Sequence, residues 1–221
     1  MVARKRANVL STDHRLLDIA VDQFGQKGIE GASTRTIAAA AGTMMSSITY
    51  HYGNKQGLYL AAARHVANQM CKYIAPALGA SDNPASNDGA DGASTAVLVL
   101  VDHFAEMMMR PESSTWARFI VREQMEPTEA FDILYAGVMG QVVDRLSGLL
   151  VTVGQGRCSV AEARLKTLAI LGQALVFRVA RATVLRASDW TDIDADGAAA
   201  IRRLIRIHTS AILTSIRGGR Y

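Results

Sequence analysis

Apolar positions recur along this chain every three to four residues, a spacing that predicts helices throughout. Leu16, Leu17, Ala20 and Phe24 form one stripe of a first helix, with Ser11 or Thr12 placed to cap it and Gly28 to stop it. Ser33 precedes a short second helix in which Ile37, Ala38 and Ala41 face inward, and Gly42 ends it. A third short helix is expected over about 45–51. Gly53 and Asn54 break and recap the chain, and a longer fourth helix carries Leu58, Ala61, Ala62, His65, Val66 and Gln69 on one side.

Residues 79–94 are rich in Gly, Ser, Asn, Asp and Ala and show no periodicity, which reads as a loop between two domains. Helices resume over about 95–109, 114–125 and 128–152, interrupted at Arg110 with Pro111 and at Glu126 with Pro127. Gly154, Gln155 and Gly156 form a turn, and Ser159 with Glu162 makes a capping box that starts a helix reaching about residue 186. Asp192 or Asp194 starts the last helix, and Gly218 with Gly219 ends it. No stretch alternates with period two, and no internal repeat is visible. The fold class expected is all-α.

Composition narrows the function. Of 221 residues, 49% are hydrophobic and 20% charged, enough to bury a core without covalent staples. Two distant cysteines, Cys71 and Cys158, make neither a disulfide framework nor a metal cluster. The basic start, Arg4, Lys5 and Arg6, is followed by polar residues rather than the apolar run of a secretory signal. No unbroken apolar stretch reaches the roughly 18 residues of a membrane span. The greasiest region, 168–185, is cut by Gln173, Arg178 and Arg181. A cytoplasmic protein with no membrane partner is therefore expected. The net charge of +4 is unevenly spread, with nine basic residues against four acidic ones over residues 1–78. That surplus permits nucleic-acid binding.

The informative stretch is residues 33–59, STRTIAAAAGTMMSSITYHYGNKQGLY. Ala38 is small where two helices must cross closely. Gly42 can take the positive φ of a tight turn. Ile48 is the buried anchor of the following helix, and Ile37 and Ala41 complete a small core. This is the spacing of a helix-turn-helix, which lays one helix across the DNA backbone and the next in the major groove. An ordinary helical hairpin has the same spacing. The following helix, however, carries Ser46, Ser47, Thr49, Tyr50 and His51, all able to hydrogen-bond to DNA, and Lys55 comes next.

Residues 11–59 resemble the DNA-binding domain of the TetR family of repressors. The matching parts are Phe24 with Gly28, Ser33 with Thr34, Ile37 with Ala38, Ala41 with Gly42, Ile48, the run Tyr50-His51-Tyr52, and Lys55 with Leu58. The stretch from Ile48 through Tyr59 resembles most the branch that carries a CecR-like regulatory domain. Arg122 and Glu123 before Pro127, Gly172 with Gln173, Phe177, and Ala180 with Arg181 match that branch more loosely. The resemblance implies a DNA-binding domain over 1–57, a connecting fourth helix over 55–78, and a regulatory, dimerisation and ligand-binding domain over 95–221.

It also implies residue roles. Thr34 and Arg35 would meet a phosphate at the start of the supporting helix. Tyr50 and His51 would contact phosphates from the end of the reading helix, and Lys55 another from the start of the fourth. Met44, Met45, Ser46, Ser47 and Thr49 would face base edges, and Tyr52 would pack in the domain core. Met44 and Met45 stand where polar residues are more usual in the family. They offer no strong hydrogen bonds but can pack on thymine methyl groups, so binding should rest heavily on phosphates and be salt-sensitive.

For the regulatory half, the family implies an inducer. The expected pocket is lined by Phe104, Met107, Met108, Trp116, Phe119, Tyr135, Met139, Gln173 and Phe177, although apolar side chains at helical spacing also read as plain core. Arg122 and Glu123 are either solvated or structurally paired. The helices near 159–186 and 194–217 are expected to meet their copies in a homodimer, through Leu168, Leu171, Leu175 and Val179 on one and Ile201, Leu204, Ile205, His208 and Ile212 on the other. Packing within one chain would use the same faces.

No P-loop, HExxH, GxSxG or CxxC is present, and Gly154-Gln155-Gly156 is a lone GxG read as a turn. No catalytic residue, metal or cofactor is therefore expected. The reading is a homodimeric repressor of double-stranded operator DNA, released by an unidentified small molecule. Two alternatives stay open, a ligand-independent or architectural DNA-binding protein and an enzyme with a site assembled only in the fold. A redox role for Cys71, beside Lys72, or Cys158, beside Arg157, is a variant of the main reading.

Overall fold

The computed structural model describes residues 2–81 and 89–219. Among them are eleven α-helices, one π-helical turn and no strand. The helices are α1 (Val2–Gly31), α2 (Thr34–Ala41), α3 (Met45–Tyr52), α4 (Lys55–Ser81), α5 (Gly89–Met109) and α6 (Ser113–Met125). They continue with α7 (Glu129–Leu134), the π-turn (Tyr135–Met139), α8 (Gly140–Gly154), α9 (Val160–Val179), α10 (Arg181–Ala187) and α11 (Ala195–Gly218). Contacts divide the chain into two compact units. One comprises Met1–Gln69 and Ser114–Gly137, the other Met70–Ser113 and Val138–Tyr221.

Several helix ends follow from local chemistry. The Ser33 hydroxyl accepts from the Thr36 N–H, and the capping box of Ser159 and Glu162 is formed in both directions at 3.3 Å. Asp194 caps α11 by accepting from the Gly197 N–H at 2.8 Å. Other ends differ from expectation. α1 begins at Val2, upstream of Ser11 and Thr12, and bends at Gly28 (φ 70°, ψ 175°) before ending at Gly31. The segment read as a loop over 79–94 is helical at both described ends, through Ser81 and from Gly89, while residues 82–88 lie outside the described residues. Its Gly, Ala and Ser content hid the start of α5, whose apolar side chains are Ala93, Ala96 and Val97. The helix expected over 128–152 contains the π-turn, and the one expected to reach residue 186 breaks at Ala180, where α9 and α10 meet at 79°.

The first unit has an aromatic core. Phe24 of α1 meets Tyr59 of α4 edge-on at 4.9 Å between centroids, and Tyr59 meets Phe119 of α6 at 4.9 Å. Beside it lies Glu123, only 1% exposed. One carboxylate oxygen accepts from the Tyr59 hydroxyl. The other accepts from the N–H and hydroxyl of Thr128, at 3.1 and 2.9 Å. A carboxylate can stay buried when several donors satisfy it, and here they tie α4, α6 and the start of α7 together. Burial, then the bond to Glu123, pushes the Tyr59 phenol well above its ordinary pKa of 10.0. Arg122 packs its guanidinium against Gly28. Of the pair, Glu123 is structural, while Arg122 is exposed beside Gly28.

The second unit packs α5, α8, α9 and α11 around Leu100, Leu146, Leu150 and Ile170, all fully buried. α5 and α8 lie within two helical runs, Gly89–Met109 and Glu129–Gly154, that are long and apolar enough by composition to cross a membrane, contrary to expectation. About half of each apolar window, 50% and 44%, is buried inside the protein. Polar ties add register. The Ser147 and Thr167 hydroxyls share a buried hydrogen bond at 3.1 Å between α8 and α9. Arg202 of α11 holds Asp102 of α5 through Nε at 2.9 Å, and this bond holds the carboxyl below its ordinary range. Arg178 of α9 donates to the carbonyls of Met108 and Arg110 at 2.6 and 2.8 Å, closing the C-terminal end of α5.

Replacing Glu123 by Ala is expected to leave the Tyr59 and Thr128 donors unpaired, at about 1–3 kcal/mol for each. Urea unfolding should show the loss, and Glu123→Gln, which keeps an acceptor oxygen, should lose less.

Candidate nucleic-acid interface

The reading helix α3 is held by backbone geometry at both ends. Gly42 adopts φ 68° and ψ 32°, a left-handed conformation that closes the turn after α2. The N–H groups of Gly42 and Thr43 then bond back to Ala39 and Ala38 at 3.1 and 3.0 Å. Ala38 is buried at the crossing, and Ile48 is the fully buried anchor of α3. At the other end Asn54 caps α4 by accepting from the Gly57 N–H at 2.8 Å. A Cβ on Gly57 would collide with the Tyr52 carbonyl oxygen, so the first turn of α4 sits directly on the end of α3. Gly57 was not singled out from the sequence as a packing residue. A glycine where a helix begins, a place normally indifferent to side chains, was its only signal.

α1 braces this arrangement. The Tyr52 hydroxyl donates to Asp13 at 3.2 Å, tying α3 to α1. Burial, and then Asp13 beside it, push the Tyr52 phenol up to about 12. The Arg15 guanidinium reaches the Ala40 carbonyl at 3.5 Å. Buried His65 of α4 bonds Asp18 at 2.7 Å and meets the His14 ring edge-on at 5.4 Å. Lys55 donates to the Glu30 carbonyl at 3.2 Å, which positions the ammonium at the start of α4.

The expected DNA-contact residues lie on this one region. Arg35, Met44, Met45, Ser46, Thr49, Tyr50 and His51 are exposed, and Thr34, Ser47 and Lys55 are half-buried. Met44 is the N-cap of α3 but makes no side-chain capping bond. The Tyr50 and His51 rings meet edge-on at 5.1 Å. Tyr52 is half-buried, with its polar tip occupied by Asp13.

The residues expected to line a ligand pocket are divided. Phe104, Met107 and Met108 are buried in the second unit, which also contains half-buried Met139, Gln173 and Phe177. The Gln173 Oε1 accepts from His208 Nδ1 at 3.1 Å. Trp116, Phe119 and Tyr135 belong to the first unit, where Phe119 is committed to Tyr59 and exposed Tyr135 stacks beside Phe131 at 6.0 Å. An open cleft of about 420 Å³ lies elsewhere, where Trp190 and several aspartates surround the start of α11. Burial pushes the Cys158 thiol up, which disfavours the reactive thiolate.

The expected dimer faces need one correction. Leu171, Ile201 and Ile205 are buried within the chain. The large apolar side chains left exposed are Val160, Leu165, Leu168, Leu175, Val176 and Val179 on α9 and Leu204 and Ile207 on α11. Helix periodicity could not separate two adjacent stripes, one turned inward and one outward.

Comparison with known proteins agrees with this geometry. Residues 16–62 match the family "Bacterial regulatory proteins, tetR family", and residues 95–216 match "HTH-type transcriptional dual regulator CecR, C-terminal domain". The chain is 29% identical over 206 residues to the HTH-type transcriptional dual regulator CecR of Shigella flexneri, covering 91% of each. Among solved structures, AibR in complex with isovaleryl coenzyme A and operator DNA superposes with a TM-score of 0.63 at 17% identity, covering 86% of this chain and 94% of that one. The regulator FadR of Bacillus subtilis with stearoyl-CoA gives 0.58 at 14% identity, covering 94% and 98%.

Tyr52→Phe is expected to cost about 0.5–1.5 kcal/mol at neutral pH, the usual worth of one hydrogen bond. The folded phenol ionises near 12 and the free one near 10.0. The stabilisation is therefore full below pH 10 and fades as pH rises through 12. Urea melts of both proteins across that window should converge.

Proposed function

The chain belongs to the TetR family of bacterial regulatory proteins, in the branch with a CecR-type C-terminal domain, and from that premise we propose that it is a homodimeric, sequence-specific transcriptional repressor released from its operator by a small molecule. The observation that carries this reading is the exposed face of α3, a two-turn helix anchored by Ile48 and locked by Gly42 and Gly57. Such rigidity is what a helix reading base edges requires.

Residues 1–57 form the DNA-binding domain, with α4 as connector over 55–78, and residues 95–221 carry dimerisation and ligand binding. Arg35 with Thr34, Tyr50 with His51, and Lys55 hold phosphates around the reading helix. Lys55 is supported in this role by its bond to Glu30, which holds the ammonium at a helix start where backbone N–H groups also favour an anion. Met44, Met45, Ser46, Ser47 and Thr49 face the bases.

Dimerisation uses the exposed apolar stripe of α9 and α11. Two-fold symmetry then presents two reading helices to a near-palindromic operator. The ligand acts by population shift. One spacing of the paired DNA-binding domains fits the operator, the ligand favours another, and the coupling is reciprocal. The proposed pocket draws on Phe104, Met107, Met108, Met139, Gln173 and Phe177 of the second unit. The protein acts in the cytoplasm and catalyses no reaction. Activation as a second output is favoured by the description of the Shigella relative as a dual regulator.

Selection of random duplex DNA at fixed near-physiological salt should enrich a palindromic site, and binding that is uniform across sequences would sink the operator reading. On the selected site, Lys55→Ala should weaken binding to all sequences alike and lower the salt slope by about 1. The paired change Leu168→Glu and Leu175→Glu should give a monomer by light scattering and abolish binding to the full palindrome. A monomeric wild-type protein would overturn the interface.

A further inference from the structure

The surface that α3 offers to bases is chemically unusual. Met44 is 74% exposed and Met45 38%, so two thioether side chains stand wholly or partly in water at the start of α3. The Thr49 hydroxyl donates to the Met45 carbonyl at 3.2 Å. Its single proton is therefore used inside the helix, and the side chain offers outward only a methyl group and oxygen lone pairs. From residue 44 to residue 49 there is no Arg, Lys, Asn or Gln. Those are the side chains whose paired hydrogen bonds select guanine or adenine in the major groove. What remains is two thioethers, one methyl and the hydroxyls of Ser46 and Ser47, which bond to several bases without strong preference.

The major groove exposes one apolar group on its base edges, the C5 methyl of thymine. Methionine suits it, being unbranched, polarizable and able to follow an irregular surface. We propose that Met44 and Met45, with the Thr49 methyl, read thymine methyl groups, so that the operator is recognised by its pattern of methyls more than by base hydrogen bonds. This rests on the DNA-binding reading above and specifies it. The occupant follows from continuity, since Met45 and Thr49 stand one turn apart on exposed positions of α3, Met44 precedes them, and the stretch lies in the chain between Arg35 and Lys55. Each half-site then carries thymine, on either strand, opposite the start of α3.

The test replaces thymines of the selected operator by deoxyuridine one at a time, which removes the methyl and leaves every hydrogen-bonding group unchanged. At one or more positions in each half-site, wild-type protein should bind about fourfold more weakly for each methyl lost, the value for removing one buried carbon. A Met44→Ala, Met45→Ala double variant should bind the thymine operator more weakly and no longer distinguish uracil from thymine at those positions, closing a double-mutant cycle. Both side chains are exposed, so its thermal melt should match the wild type. Met44→Leu with Met45→Leu should keep the discrimination. Uracil tolerated everywhere within twofold, by a protein that still binds its operator, would overturn methyl readout alone. So would a uracil penalty that persists unchanged in the double alanine variant. A wild-type protein that binds no duplex would remove the DNA-binding reading and this inference with it.

Discussion

A helix of eight residues cannot hold its own shape in water, because the cost of nucleating it exceeds what two turns return. α3 is such a helix, and the whole DNA-binding unit is arranged around that constraint. One side chain, Ile48, is sunk into the core. The turn before it is closed by the left-handed Gly42, and the helix after it lies against its last carbonyls at Gly57. α1 adds side-chain braces through Asp13, Arg15 and Asp18. The exposed face is left free of structural duty, which is why it can carry residues chosen for what they contact.

The rest of the first unit shows how a polar group can be buried without loss. Glu123 has three donors and no exposed surface to speak of. Its neighbours are the aromatic rings of Phe24, Tyr59 and Phe119, so the carboxylate fixes the register of a contact that apolar packing alone would leave free to slide. The second unit uses the same division. Its interior is aliphatic, and its register is marked by Ser147 with Thr167, Asp102 with Arg202, and Arg178 on the end of α5. The Asp102 and Arg202 side chains remain about a third exposed, so that pair orients α11 more than it stabilises the unit.

Two kinds of surface chemistry meet at the proposed interface with DNA. Arg35, Tyr50, His51 and Lys55 are suited to phosphates, whose charge is the same at every sequence. In the proposed readout, discrimination falls to the short segment 44–49, where the internal bond of Thr49 and the absence of long polar side chains leave apolar contact as the main distinguishing force. Sulfur and methyl groups exposed to water in the free protein gain by being covered, which turns an apparent defect of the surface into a means of selection.

The sequence by itself determined what depends on local backbone chemistry and short spacing. The Ser33, Asn54 and Ser159 caps, the Gly42 turn, the Ile48 anchor and the helical class could all be read because each involves residues within a few positions of one another, and the last cap was narrowed to Asp192 or Asp194, of which the structure uses Asp194. The family was legible for the same reason, since its motif is contiguous. Only the tertiary structure decided which of two neighbouring apolar stripes is core, so Leu171, Ile201 and Ile205 turned inward while Leu165 and Ile207 stayed outside. It also gave Glu123 a partner across 64 positions in the chain, Tyr59, and placed Phe119 against Tyr59. The break at Ala180 escaped the sequence because no side chain there caps or breaks a helix, and the start of α5 escaped it because its Gly, Ala and Ser residues show no apolar period. Periodicity records that a side chain wants burial, while the partner that buries it is set by chain segments far away in sequence.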